Sequence, residues 1–232
     1  MLNNQLYSLS LVIPAYNDEV TIERLVTDAN EVLKDCCVDY EIIVCNDGSR
    51  DNTAAILEKL ASENSRLKII HHVVNQGFGR TIRELYFAGK KELIFSLPGD
   101  YQYSPREVHT MATGLSKGDL IIGLRVNRRD PVRRKIQSII YNAMLRIFYG
   151  SNLQDVNSIK LFKRVVLENI QLLAKTAFVD AELCLRAQRA GFKVLEIPIN
   201  HLPRQAQGAS GGKISVISET FRELVTMRFS LK

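Results

Sequence analysis

The chain has no run of the ~18 apolar residues that a membrane-spanning helix needs. Its nearest approach, residues 136–149, is interrupted by Asn142 and Arg146 and cannot span by itself. The opening MLNNQLYSLS holds neither a basic stretch nor a long apolar one, so no signal peptide is read and a cytosolic protein is expected. Four cysteines, Cys36, Cys37, Cys45 and Cys184, form no CxxC pair and have no nearby histidine at metal-ligand spacing. That argues against a zinc site or a disulfide framework and for reduced, structural thiols. No GxxxxGK stretch followed by Ser or Thr is present, which leaves P-loop phosphate binding unsupported. Gly77-Phe78-Gly79 lacks the third glycine of a dinucleotide fingerprint, because position 82 is Ile82. There is no low-complexity tract, no interdomain linker and no repeat beyond a strand-helix unit.

What is present is ordinary globular composition. With 46% hydrophobic and 24% charged residues in 232, the chain can bury a sizeable core in one large or two small domains. A formal charge of +6 favours anionic partners without choosing among nucleic acid, lipid headgroups and phosphorylated substrates. The densest basic cluster, Arg125, Arg128, Arg129, Arg133 and Arg134, has no interleaved aromatics for base stacking. No nucleic-acid module is recognised either, so nucleic acid is set aside.

Hydrophobic periodicity alternates between strand and helix. Residues 9–13 read as a strand closed by Pro14-Ala15-Tyr16-Asn17-Asp18, and a helix follows from Val20, with Asn17 or Asp18 as N-cap and Glu19 in its first turn. The unit repeats as strand 41–45 and helix 51–62, strand 67–73 and helix 81–88, then strand 93–97. Further on, the pattern predicts a strand over 119–123, a helix over 136–148, helices over 165–173 and 181–189, a strand over 194–199 and a last helix over 214–229. Such alternation implies right-handed parallel crossovers, hence an α/β fold: a doubly wound, mostly parallel sheet with helices on both faces. Residues 1–213 are read as one domain, and 214–232 as an amphipathic helix packed on it or lying at a membrane surface.

In such a sheet the turns after the strands share the carboxyl edge. Tyr16, Glu19, Asp47, Gly77 to Arg80 and Asp100 to Gln102 are therefore expected to converge. Asp100 stands at the tip of an apolar run ended by Pro98-Gly99. Hard divalent cations take oxygen ligands, and Mg²⁺ is commonly held by one or two carboxylates plus phosphates and water. Asp100 with the Gln102 carbonyl forms a weak set of that kind, the alternative being an Asp that caps the helix starting near Pro105. Asp47 reads as an Asx-turn residue or as an acceptor for a nucleotide base or ribose. Gly77 and Gly79 read first as turn glycines. The arginine cluster, with Arg204 and Lys213, reads as a solvated loop or as a clamp for two phosphates. The apolar stripes of 136–148 and 214–229 read most simply as core-facing, and their basic flanks suit a second use in a membrane interface.

The segments SLVIPAYNDEVTIERLV, EIIVCNDGSRDNTAAIL, HHVVNQGFGRTIRELYFA and LIFSLPGDYQYSP together resemble the family-two inverting glycosyltransferases of GT-A fold. Within that family they are most similar to the dolichol-phosphate mannosyltransferase and polyprenyl-phosphate sugar synthase branch, from Ser8 to about Lys213. The resemblance implies that Pro14, Ala15, Tyr16 and Glu19 line a nucleotide base pocket, with Asp47 on the base or ribose and Gly77 in the same crevice. It implies that Asp100 and Gln102 are the second acid and the glutamine of an Asp-x-Asp-x-Gln motif that grips a divalent metal, Mg²⁺ or Mn²⁺, and the sugar diphosphate. Pro98 replaces the first acid, so the metal is expected to bind weakly. Arg125 and Arg133 or Arg134 match arginines that hold donor and acceptor phosphates, and Arg204 matches the arginine of a late loop. Two departures concern the acceptor side. The segment Asp155-Val156-Asn157-Ser158-Ile159 is one residue short, and Arg204, Gly208, Ser210 and Lys213 are spaced more widely than the family spaces them.

The implied function is transfer of a hexose from a GDP- or UDP-sugar to a polyprenyl or dolichyl phosphate, with inversion, by a protein peripheral at the inner face of a membrane. Two alternatives stay open: a non-catalytic nucleotide-sugar-binding or scaffold protein that lost the acid at Pro98, and a transferase with a saccharide acceptor. The sugar, the base and the oligomeric state are not legible.

Overall fold

The computed structural model describes residues 7–126, 132–203 and 214–228. Strand β1 (Tyr7–Ala15) takes the middle of the sheet because both of its faces can be buried. Leu9, Leu11 and Ile13 enter one core and Val12 the other, while Ser10 donates to Glu41 Oε1 at 2.7 Å. Burial on both faces marks a parallel strand covered by helices. β2 (Cys37–Asn46), β3 (Leu67–His71) and β4 (Leu93–Ser96) continue the parallel array, with β2 and β4 flanking β1 and β3 outside β2. Past β4, β6 (Lys160–Lys163) runs antiparallel to both β4 and β5 (Leu120–Val126), and β7 (Val194–Asn200) pairs parallel with β5. The strand order is β3-β2-β1-β4-β6-β5-β7.

Helices α1 (Ile22–Cys36), α2 (Thr53–Glu63) and α4 (Glu107–Ala112) pack into the core on one face of this sheet. On the other face lie α3 (Phe78–Ala88), α5 (Val132–Tyr149), α6 (Val165–Glu168), α7 (Val179–Arg189) and α8 (Ile214–Thr226). The doubly wound, mostly parallel sheet expected from the sequence is the observed architecture.

Four details differ from the sequence reading, each for a physical reason. α1 starts at Ile22 and leaves Val20 exposed, because the Asp18 carbonyl already receives Thr21 N and Ile22 N at 2.9 Å each. The Asp18 carboxylate, expected to cap the helix, turns back to accept Tyr16 N at 3.0 Å. β6 was not foreseen, since four residues with a lysine at each end do not read as a strand. Lys160 is nonetheless fully buried: its Nζ donates to Ser158 O at 2.9 Å and lies 3.0 Å from Asp180, which accepts the Tyr86 hydroxyl at 2.8 Å. The helix predicted over 165–173 stops at Glu168, and the Glu182 carboxylate takes the downstream Leu173 N and Ala174 N.

The fourth correction concerns α5. Its core-facing side is Leu145, with Tyr141, Met144, Phe148 and Tyr149 partly buried against the second core. Ile136, Ile139, Ile140 and Ile147, expected to face the core, are half or more exposed. Offset from Ile136 by three, four and eleven residues, they form one outward stripe. α8 does the opposite with Leu224, which is fully buried in the second core while Phe221 stays half exposed. The Glu223 carboxylate also accepts Lys175 N at 2.8 Å and Thr176 N at 2.9 Å. Among the described residues no helix is long and apolar enough to cross a membrane.

Candidate active site

Three strand-ending turns are stitched together at the carboxyl edge. From the turn after β1, Asn17 N donates to Ser49 Oγ at 3.0 Å and Glu19 N to Asp51 Oδ2 at 3.1 Å. In return Arg50 N donates to Asn17 Oδ1 at 2.8 Å and Asn52 N to Glu19 Oε2 at 2.9 Å. The same β1 turn grips the turn after β4: Thr21 Oγ1 donates to Gly99 O at 2.7 Å, and Gly99 N donates to Pro14 O at 3.2 Å. A Cβ on residue 99 would lie 2.5 Å from Asp18 Oδ2, so a side chain there would push against the carboxylate that accepts Tyr16 N. The structure thus brings Pro14, Ala15, Tyr16, Glu19, Asp47, Gly77, Asp100 and Gln102 into one edge of the molecule. Glu19 is exposed and Tyr16 half-buried, whereas Ala15, Asp47, Asp100 and Gln102 are buried.

Asp100 and Gln102 flank Tyr101, whose backbone is left-handed with φ 53°. A non-glycine residue there costs ~1–2 kcal/mol, and α1 holds it: the Tyr101 hydroxyl donates to Asp28, and the Arg24 guanidinium sits 4.5 Å over its ring. Gln102 N folds back to Asp100 Oδ1 at 3.2 Å, and Gln102 Nε2 lies 3.3 Å from His201 Nε2. With the amide nitrogen turned to His201, the amide oxygen is the end that a cation would meet. The donor set of this turn, one carboxylate and one amide carbonyl, is all oxygen and suits Mg²⁺ or Mn²⁺, with the remaining positions left to phosphate and water.

Asp47 organises the turn that follows β3. Its Oδ1 accepts Gln76 N at 2.8 Å and its Oδ2 accepts Gly77 N at 2.9 Å. Oδ1 also lies 2.7 Å from His72 Nδ1, while His72 Nε2 lies 2.8 Å from Glu84 Oε2. Burial opposes charge on this imidazole, but the bonds to Asp47 and Glu84 outweigh it and hold its pKa above the usual value. Gly77, with φ 87°, is the N-cap of α3, and Gly79 lets α3 approach residue 176, where a Cβ would lie 2.1 Å from Thr176 O. Their conformation and contacts are those of turn and packing glycines. The sequence reading gave His72 no role, since it placed the residue inside a strand over 67–73.

Arg125 is engaged within the protein. Its Nε and Nη2 form a fork on the two Asp155 oxygens at 2.7 and 2.5 Å, and its backbone N donates to the same carboxylate at 3.2 Å. The segment of Asp155 is itself held by Glu196 Oε1, which accepts Gln154 N and Asp155 N at 2.8 Å each. Arg128, Arg129, Arg204, Gly208, Ser210, Lys213 and Phe229 lie outside the described residues. So do the side chains of Arg133, Arg134, Ile214 and Ile217, whose backbones belong to α5 and α8. A cavity of about 100 Å³ under the carboxyl edge is lined by Pro14, Ser96, Pro98, Tyr103, Ser158 and Asp180 among others, which places the buried Lys160–Asp180–Tyr86 network at its wall. A more open groove of about 510 Å³ runs along the outer side of α3 past Arg80, Arg83 and Lys175, away from Asp100.

The Arg125–Asp155 pair is nearly closed to solvent, with side chains 12% and 4% exposed. Removing one partner strands the other charge, a cost of about 3–5 kcal/mol. Asp155→Ala is expected to lower the urea midpoint accordingly, and Asp155→Asn to lower it less; equal midpoints for Asp155→Ala and wild type would mean the pair is not structural.

The glycosyl transferase family 2 profile matches residues 10–170. The glycosyltransferase AglD of Haloferax volcanii is 31% identical over 208 residues, covering 84% of this chain and 33% of that protein. The undecaprenyl-phosphate 4-deoxy-4-formamido-L-arabinose transferase of Photorhabdus laumondii is 29% identical over 206 residues, covering 87% of this chain and 62% of that protein. The chain thus spans from about a third to somewhat under two thirds of the length of these curated relatives. Among solved structures, glucosyl-3-phosphoglycerate synthase from Mycobacterium tuberculosis in complex with Mn²⁺, uridine diphosphate and phosphoglyceric acid superposes with a TM-score of 0.72 at 16% identity, over 97% of this chain and 78% of that one. At that identity the likeness speaks to the fold, a GT-A-like sheet. The family profile covers more than half of the sequence and includes all three stitched turns, and the chain belongs to glycosyltransferase family 2.

Proposed function

We propose that this protein moves a hexose from a nucleoside diphosphate sugar to a polyprenyl phosphate at a membrane surface, with inversion at the sugar carbon. The observation that carries the reading is the convergence of the Tyr16, Asp47 and Asp100 turns on one buried-acid edge. A curated relative whose name states an undecaprenyl-phosphate acceptor supports the acceptor class. Structural neighbours crystallised with uridine diphosphate and Mn²⁺ or Mg²⁺ support the donor class and the metal.

In this reading Pro14, Ala15, Tyr16 and Glu19 border the base, and the Asp47 turn, with Gly77, borders base or ribose. Asp100 and the Gln102 carbonyl hold a divalent cation together with the donor diphosphate. When bound, that cation neutralises charge on the departing diphosphate. A phosphate monoester has a second pKa near ~6, so the acceptor is already largely anionic at neutral pH and needs no strong general base. The protein's work is then to align the acceptor in line and to stabilise the leaving group. Arg133, Arg134 and Arg204 are assigned to phosphates. Arg125 is assigned to shaping the acceptor side through Asp155, its fork being engaged there. The outward isoleucine stripe of α5, flanked by arginines in the sequence, is assigned to the lipid interface, where fully burying one such side chain is worth about 1.5–3 kcal/mol.

Pro98, standing where the family places an acid, favours a second reading: a nucleotide-sugar-binding protein without turnover. Asp100→Asn separates them. The transfer reading expects metal-dependent sugar transfer to a polyprenyl phosphate to fall roughly 100-fold or more with an unchanged melting curve. Unchanged turnover in the variant would sink the assignment of Asp100, and no product from the wild type on any polyprenyl phosphate would favour the binding protein. Membrane attachment has its own check. Flotation with anionic liposomes at low salt is expected to retain the wild type and to lose an Ile139→Ser/Ile140→Ser variant; a wild type that stays at the bottom of the gradient would remove the membrane assignment.

A further inference from the structure

Cys45 near the end of β2, His72 just past β3 and Glu84 on α3 are separated by 27 and 12 residues, yet their ligand atoms all lie within 4.8 Å of one another. Cys45 Sγ is 3.5 Å from His72 Nε2, and that nitrogen is 2.8 Å from Glu84 Oε2. We propose that these three residues form a second metal site, built from none of the Asp100 and Gln102 atoms, that takes a borderline divalent cation such as Zn²⁺.

The distances suit that ion. Zn²⁺ binds thiolate sulfur at ~2.3 Å and imidazole nitrogen at ~2.0–2.1 Å in tetrahedral geometry, which sets sulfur and nitrogen about 3.5 Å apart, the separation seen between Cys45 and His72. Nitrogen and carboxylate oxygen on the same ion stand roughly 3.3 Å apart by the same geometry. Glu84 must therefore withdraw by about half an ångström. Its side chain is 47% exposed and free to do so, whereas Cys45 is fully buried and the His72 side chain is 6% exposed. Two of the ligands are thus pre-positioned, and the third is the adjustable one. Three protein ligands leave the fourth position to water.

The chemistry of the set selects the metal. Thiolate and imidazole favour Zn²⁺ over Mg²⁺ and Mn²⁺, which prefer oxygen, so this site and the Asp100 turn would take different ions. Metal-bound histidines commonly donate their other N–H to a carboxylate, which fixes the tautomer and raises ligand basicity. Here that partner is in place: Asp47 Oδ1 lies 2.7 Å from His72 Nδ1. On binding, the Cys45 S–H bond breaks, a sulfur–metal bond forms and the proton leaves to solvent. The spacing rules that argued against zinc in the sequence see only local motifs, and the fold gathers this site from three elements. Because Asp47 also accepts Gln76 N and Gly77 N, a cation here ties the turn after β3 to the end of β2.

The probe is Co²⁺, which reports thiolate ligation by an intense charge-transfer band and tetrahedral geometry by its visible bands. Reduced, chelator-treated full-length protein titrated with Co²⁺ is expected to develop both at one equivalent, and Zn²⁺ is expected to bleach them while raising the melting temperature. Cys45→Ser should abolish the charge-transfer band. Glu84→Gln, on an exposed helix surface where folding is not at stake, should weaken Co²⁺ binding by about tenfold or more. A Cys36→Ser/Cys37→Ser double variant and Asp100→Asn should leave the spectrum unchanged. Absence of a thiolate band in the wild type, its survival in Cys45→Ser, or its loss in the Cys36/Cys37 variant would each overturn the proposal.

Discussion

Two hydrogen bonds at Gly99, from the Thr21 hydroxyl to its carbonyl and from its N–H to the Pro14 carbonyl, draw the turn after β4 against the turn after β1. The Asp18 carboxylate fills the space a side chain on residue 99 would take. The same β1 turn is bonded on its other side to the turn after β2. One short segment, residues 16–21, therefore sets the distance between the acid of the second strand and the acid of the fourth. A parallel sheet provides the edge, but the edge becomes a site only because these backbone and carboxylate bonds remove its freedom. The left-handed Tyr101, pinned by Asp28 and Arg24, belongs to the same constraint, since its cost is met by contacts with α1 rather than by the turn itself.

Much of this was legible in the chain. Strands buried on both faces read as apolar runs, and each was ended by Pro, Gly, Asn or Asp, so the parallel half of the sheet and its convergent turns could be placed from periodicity and turn chemistry. What failed was the part that long-range bonds decide. Lys160 hides a strand behind a charge that only Asp180 and the Ser158 carbonyl make tolerable inside the protein. The stripe on α5 looked like a core face because periodicity reports that a face is apolar, not what covers it. Asp18 read as a cap because it stands just before the helix, but its backbone N–H is held by the Thr53 hydroxyl and its carboxylate turns back to Tyr16 N, against Gly99. His72 carried no local pattern at all, since its partners come from β2, the turn after it and α3.

The departures from the family pattern also gain physical content. Arg125 lies within a motif that invites a phosphate-binding role, yet its guanidinium is forked onto Asp155, and Asp155 is held in turn through Glu196. The shortened segment before Lys160 is thus braced by buried charges rather than loose. Pro98 lines the cavity under the carboxyl edge with Asp180 and Tyr103, so the position that lacks the acid has become part of an apolar and buried-polar wall. With one carboxylate at the turn, the proposed metal would draw its affinity mostly from the donor's own phosphates.

That dependence is the account's central claim, and calorimetry of donor binding tests it most directly. Titrating the protein with GDP- and UDP-sugars, each with and without Mn²⁺, is expected to reveal one donor that binds at least about tenfold more tightly, or 1.4 kcal/mol, when the metal is present, while Mn²⁺ alone binds weakly. Donor affinity that is the same with and without Mn²⁺ would contradict it.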